Sequence, residues 1–161
     1  MNVDNIEFRF AEQRDEAQVL ALLPRLHAFP VHERRNPRDL WVHDAETAKK
    51  LLHGNAPASF LIVADASPKE DESTVAGLVM VTMQGEFMSH EPGSHLEALV
   101  VADGYEGLGL GRRLMDGGEA EARKRGAESI TLHVFNSNER AAALYRRQGY
   151  EFEMQRCIKW F

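Results

Sequence analysis

Residues 95–112 read His95-Leu96-Glu97-Ala98-Leu99-Val100-Val101-Ala102-Asp103-Gly104-Tyr105-Glu106-Gly107-Leu108-Gly109-Leu110-Gly111-Arg112, an apolar run that stops at a short polar turn and resumes through alternating glycines. The run His95 to Val101 is short and rich in Leu and Val, the composition of a strand. The glycines then lead into a helix that ends at Gly126, a residue suited to a helix C-terminal stop. Gly107 to Arg112 therefore sits at a strand-to-helix junction. A bare main chain there lets several N–H groups converge beside the positive end of the helix dipole, the physics of diphosphate binding. The same glycines also suit a turn that packs a helix closely on a sheet. Two other glycine-rich patterns do not fit. The dinucleotide fingerprint needs a third glycine where this chain has Arg112, and the P-loop needs a lysine followed by Ser or Thr.

Working outward, Ser129 to Val134 reads as the next strand and Asn138 to Gln148 as a helix, with Ala141, Ala142, Leu144 and Tyr145 at helical spacing and Gly149 closing it. Phe152 to Trp160 is read as a final strand. Toward the N-terminus, Ile6, Phe8 and Phe10 alternate as in a half-buried strand. Asp15 opens a helix carrying Val19, Leu22, Leu23 and Leu26, interrupted by Pro24. Residues 29–43 form an irregular, exposed connection of mixed charge, and Ala45 to Leu52 a second short helix. Phe60 to Ala64 and Val75 to Met83 read as strands joined by a polar hairpin loop, 65–73. A loop from Gln84 to Gly93 carries Glu86 and Glu91. Hairpins early and crossover helices late give an α/β fold with mixed strand directions in a single domain, 1–161.

Composition narrows the function. The chain has 161 residues, 43% of them hydrophobic, enough for one sizeable core. A net charge of −6 argues against nucleic acid as partner and suits a cationic acceptor. One cysteine, Cys157, excludes an internal disulfide and a thiolate metal cage, and the seven histidines include no helical pair with a glutamate, so no metal is expected. No stretch reads as a signal peptide or a membrane span, which implies a cytoplasmic setting with no membrane partner.

The strand 95–101, the loop Glu106-Gly107-Leu108-Gly109-Leu110-Gly111-Arg112 and the later Asn138-x-x-Ala141-x-x-x-Tyr145-x-x-x-Gly149-Tyr150 together resemble the GNAT superfamily, the Gcn5-related N-acetyltransferases. Their core pattern is an apolar strand, then Q/R-x-x-G-x-G/A, then a long helix. Glu106 departs from it, standing where the pattern has Gln or Arg; its charge there is costly unless it points into solvent or pairs with a neighbour such as Arg112 or Arg113. The resemblance implies a mixed, mostly antiparallel sheet with a central pair of parallel strands that splay apart, flanked by helices. It implies acetyl-CoA as co-substrate and a primary amine as acceptor, in a small molecule or a peptide, attacked directly in a ternary complex. The alternative, fed by Glu106, is a non-catalytic acyl-CoA-binding module of the same fold.

Carried over residue by residue, the resemblance places Leu99, Val100 and Val101 along the pantetheine arm, with a main-chain N–H near Leu99 facing the thioester oxygen. Gly107, Leu108, Gly109, Leu110, Gly111 and Arg112 then hold the diphosphate. Asn138 touches the pantetheine, or caps its helix as its residue type suits. Tyr145 donates a proton to the departing thiolate, or serves as a core tyrosine. The base is Glu97, His95 or His133. Glu97 is the first choice, since an acid there also attracts a cationic amine and burial should raise its pKa, while His95 titrates in the useful range unaided. Strand alternation sets His95, Glu97, Leu99 and Val101 on one face. The apolar tail, Ile158, Trp160 and Phe161, is the candidate for a homodimer contact.

Overall fold

The computed structural model describes residues 5–67 and 73–161, so most of the 65–73 connection lies outside the described residues. Five strands form one sheet in the order β1-β2-β3-β4-β5: β1 Glu7–Phe10, β2 Ser59–Asp65, β3 Val75–Gly85, β4 Pro92–Val101 and β5 Ser129–Leu132. All neighbours are antiparallel except β4 and β5, which run parallel. The crossover that parallel pairing requires is the helix α3, Leu110–Lys124. The other helices are α1 Glu16–Leu22, α2 Val42–Leu52 and α4 Glu139–Arg147.

Both faces of the sheet are covered, which is why β2 is apolar at successive positions rather than at alternate ones. Phe60, Ile62 and Ala64 face α3, packing with Val79, Val81, Leu96, Leu110, Leu114 and Met115. Leu61 and Val63 face the other way, with Leu78, Met80, Ala98 and Val100, against Val19 of α1, Leu23, and Ala45 and Ala48 of α2. Gly118 lets α3 approach closely, since a Cβ there would stand 3.3 Å from Val79 Cγ2 and 3.4 Å from Val81 Cγ2. Arg9 ties the sheet's outer edge together through ion pairs with Asp15 at 2.8 Å and Asp65 at 2.9 Å.

Pro24 ends the regular α1 at Leu22, and the chain continues as a 3-10 turn, Leu23–His27. A further 3-10 turn, Pro37–Leu40, breaks the 29–43 connection, and α2 begins three residues before the expected Ala45. Pairing with β3 extends β4 back to Pro92, into the expected 84–93 loop. β5 is shorter than expected, ending at Leu132.

The final strand is corrected. Residues 150–161 make no strand and are almost entirely exposed, Phe152 at 52% and Met154 at 64%. Alternation suits a strand, but a strand also needs an edge to pair with, and this tail takes other partners. Arg146 lies over Phe152, Trp160 stacks on His32, and the Phe161 carbonyl accepts a hydrogen bond from Arg34. No helix among the described residues is long and apolar enough to cross a membrane.

Candidate active site

Two irregularities in β4 create the site. β4 pairs with β5 only from Gly93↔Ser129 to Leu96↔Leu132, and from Glu97 onward it has no partner on that edge. At the same point the β3 register jumps from Met80↔Ala98 to Val81↔Leu96, so Glu97 is an extra residue opposite nothing, a β-bulge.

The bulge reverses the parity of the strand. Leu96, Leu99 and Val101 pack on the α3 side, whereas Ala98 and Val100 pack on the α1–α2 side. His95, one residue before Leu96, bonds to Thr131 and so lies on the α1–α2 side, together with Glu97, whose charge acts on Asp44 of α2. The expectation that His95, Glu97, Leu99 and Val101 share one face is therefore corrected, because a bulge inserts one residue into a period of two. His95 and Glu97 look one way, and Leu99 and Val101 the other.

The main chain of the open half follows from its ladder. Ala102 N–H donates to Ala76 O of β3 at 2.9 Å. In an antiparallel pair the groups alternate in direction, so the N–H and C=O of Leu99 and Val101 point away from β3, into the gap. Arg25 Nε donates to Val101 O at 2.9 Å from that direction.

His95 is oriented by a hydrogen bond to β5. His95 Nδ1 lies 2.7 Å from Thr131 Oγ1, and in the tautomer that donates to it the threonine hydroxyl is left to reach Ser94 O at 3.3 Å. The Nε2 lone pair is then free to take a proton. Burial lowers the His95 pKa, the Glu97 charge raises it in part, and His133 lowers it again; the net direction is below the ordinary imidazole value. The His133 ring stands 4.7 Å from that of His95, on the exposed side.

The raised carboxyl in this cleft belongs to Asp44, pushed up to about 7 by burial and by the nearby charge of Glu97. In sequence Asp44 stands between the mixed-charge connection, 29–43, and the helix expected from Ala45, with no motif to single it out. The available signal was its place four residues before buried Ala48, on the inward face of α2.

At the glycine loop, Gly107 and Gly109 have φ of +76° and +78°, a region that costs other residues energy. A Cβ at either would meet nothing within 4 Å, so backbone conformation rather than space demands glycine here. Gly109 caps α3, whose first turn holds no acid. Leu110 is buried in the core and Leu108 is exposed. Arg112 reaches Asp116, and Arg113 lies over the Phe8 ring. Neither meets Glu106. That carboxylate pairs instead with Arg140 of α4 at 3.0 Å and Arg25 at 2.8 Å, and Arg140's hydrogen bond, with Arg25 adding, holds it below the usual range.

Asn138 caps α4, accepting from Ala141 N at 3.2 Å. Tyr145 is buried among the α3-side residues, 8% exposed, and burial raises its pKa, so its phenol keeps its proton. It thus stands on the face opposite His95. Across the outer end of the cleft, Arg35 lies over both Phe135 and Trp160, and Ser137 Oγ donates to Pro30 O at 2.6 Å, joining the 29–43 connection to the segment after β5.

A family model described as "Acetyltransferase (GNAT) family" matches residues 21–150. Mycothiol acetyltransferase of Propionibacterium freudenreichii is 32% identical over 94 residues, 58% of this chain and 28% of that protein. Streptothricin acetyltransferase of Streptomyces lavendulae is 44% identical over 57 residues, 35% of this chain and 30% of that protein. The chain thus matches under a third of the length of either relative. A structure of AAC(6')-Iy in complex with a bisubstrate analogue, CoA-S-monomethyl-acetylneamine, shares the fold at a TM-score of 0.69 and 14% identity, over 97% of both chains.

Proposed function

Since the chain belongs to the acetyltransferase (GNAT) family, we propose that it transfers the acetyl group of acetyl-CoA to a primary amine, of a small molecule or a peptide, by direct attack in a ternary complex. The observation that carries this reading is the loss of β5 as a partner at Glu97. It frees the main chain of Leu99 and the Val101 N–H beside the glycine loop, the Val101 carbonyl being held by Arg25, with His95 on one side of the opening and Tyr145 on the other.

The residues present fit the co-substrate. The open edge of Leu99 and Val101 can take an extended amide arm as a strand takes a neighbour. The loop from Gly107 to Arg112 offers unpaired N–H groups at a helix start free of acids. When bound, acetyl-CoA supplies the thioester that the amine attacks. His95 Nε2 takes the proton of the amine nitrogen as the new N–C bond forms, its neutral form favoured by burial. Leu99 N–H donates to the carbonyl oxygen where negative charge collects. Tyr145 gives its proton to the sulfur as the C–S bond breaks. Of the three candidate bases His95 is the best supported, because Thr131 orients its ring and burial favours its neutral form. Glu97 and Asp44 lie close enough to favour a cationic acceptor, and Glu97 acts on His95 through its charge.

Calorimetric titration with acetyl-CoA tests this first. Gly111→Glu is the control, since Gly111 has an ordinary φ and a Cβ there meets only Leu144 and Val101 at 3.6 and 3.8 Å. The native chain should bind and the folded variant should not. A native chain that does not bind sinks the reading. One that binds acetyl-CoA yet releases no CoA with any amine is the acyl-CoA-binding module instead.

A further inference from the structure

Glu106 carries the wrong charge for a residue three positions before Gly109 in a diphosphate loop, and two guanidiniums close on it. Arg140 Nη1 donates to Oε2 at 3.0 Å, and Arg25 Nη2 donates to Oε1 at 2.8 Å. These arginines come from α4 and from the turn after α1, so the convergence belongs to the tertiary fold rather than to the loop. Arg25 is anchored, its side chain 25% exposed, with Nε on Val101 O and a second ion pair to Asp103. Arg140 is 73% exposed and held at its tip by Glu106 among the described residues.

Resting on the acetyl-CoA reading above, we infer that Glu106 is a stand-in anion: in the free chain it occupies Arg25 and Arg140, the guanidiniums that take the diphosphate of acetyl-CoA when it arrives. The reach is adequate. Three residues span at most about 10 Å, and an arginine side chain released from Glu106 sweeps a comparable distance. A diphosphate brings two negative charges and planar oxygen pairs that suit guanidinium forks better than one carboxylate does. Where the family pattern keeps a Gln or Arg within the loop, cations come here from α4 and from the turn after α1, and Glu106 occupies them while the loop is empty.

This predicts an unusual sign. A carboxylate that only clamped the loop would weaken cofactor binding when removed, whereas a competitor for the same cations strengthens it. In calorimetry, Glu106→Gln should bind acetyl-CoA about threefold to tenfold more tightly than the native chain, and Arg140→Gln at least about fivefold more weakly, each tenfold being about 1.4 kcal/mol. S-acetylpantetheine, which lacks the diphosphate, should bind all three alike. Weaker or unchanged binding of acetyl-CoA by Glu106→Gln, with its melting temperature intact, overturns the inference. Because Arg140 is largely exposed, Arg140→Gln folds whatever Glu106→Gln does, and undiminished affinity in it overturns the inference independently. If neither the native chain nor Glu106→Gln binds acetyl-CoA, the cofactor reading itself has failed and this inference falls with it.

Discussion

Residues 93–96 of β4 are paired on both edges, to β3 and to β5, whereas residues 97–101 of the same strand are paired to β3 alone. The two halves differ in burial as well: Gly93, Ser94 and Leu96 are buried in the first, whereas in the second only Ala98 and Val100 are, with Glu97, Leu99 and Val101 half-buried. In the first half the main chain is consumed by the sheet. In the second, the N–H and C=O of Leu99 and Val101 face a gap. A binding edge has thus been made by withholding a neighbour, without any unusual residue in the strand itself. Glu97 marks the change, since its bulge turns the side chains over at the point where the far partner ends. The consequence is polar side chains on both sides of one strand, with His95, the proposed base, toward α2 and Tyr145, the proposed acid, toward α3.

Five substitutions break or sharpen this contrast, taken from the largest effect down. His95→Ala removes the group that the doubly paired half presents to the opening. It should lower the rate of CoA release with an active amine by about 10²–10³-fold, with acetyl-CoA affinity unchanged by calorimetry. A loss under threefold would separate proton transfer from this end of β4. The pH profile refines the point: activity falls as His95 gains a proton, so the acid limb should lie below the ordinary imidazole value of about 6.5. Because Glu97 raises the His95 pKa, Glu97→Gln should move that limb to still lower pH. A limb that disappears with Glu97→Gln would make Glu97 the base.

Gly77→Ala attacks the pairing of the open half with β3. A Cβ there would lie 2.8 Å from Val100 O, a main-chain atom that cannot swing aside. Denaturant unfolding should show a loss of about 1–3 kcal/mol, together with weaker acetyl-CoA binding. Unchanged stability would mean that the open half tolerates displacement and is not held rigidly by β3.

Asp44→Asn tests the charge beside the bulge. The Asp44 carboxyl titrates near 7 in the folded chain against an ordinary 3.8, so the folded state binds the extra proton between those values. Stability therefore falls as pH rises from about 4 to about 7, and the native chain carries a buried charge above that. At pH 8 the variant should be more stable by about 1–2 kcal/mol, after discounting for solvent screening of a partly exposed group. At pH 4 the two should melt alike. A variant less stable than the native chain at pH 8 would overturn the placement of Asp44 beside Glu97.

Asn138→Ala is the mildest. Loss of the bond to Ala141 N should cost about 1 kcal/mol or less in a thermal melt. A much larger loss of acetyl-CoA affinity than of stability would show that Asn138 serves the opening as well as α4.

Much of this was legible in the residues themselves. The glycines at 107 and 109 carry the positive φ that their identity permits, Asn138 caps the helix that its type predicts, and the chain order of strands and helices stands as read apart from its end. The tail misled for a physical reason: Phe152, Met154, Ile158 and Trp160 alternate as strand residues do, yet alternation cannot say whether an edge is free and reachable. Asp44 was missed because its neighbours in sequence are charged, while its neighbours in space are Glu97 and the inward face of α2. Glu106 was recognised as anomalous, but its partners are 81 and 34 residues away, beyond any local pattern.

The sequence by itself determined the order of strands and helices up to Gly149, which backbone positions need glycine, and which family's motif the second half carries, because those depend on interactions within a few residues. Only the tertiary structure decided where β4 begins, which face of it each side chain takes, where β5 stops pairing, what engages His95, and which cations answer Glu106. Those depend on pairing register and on partners brought together from distant parts of the chain, and a one-residue shift in either changes them without altering any local preference.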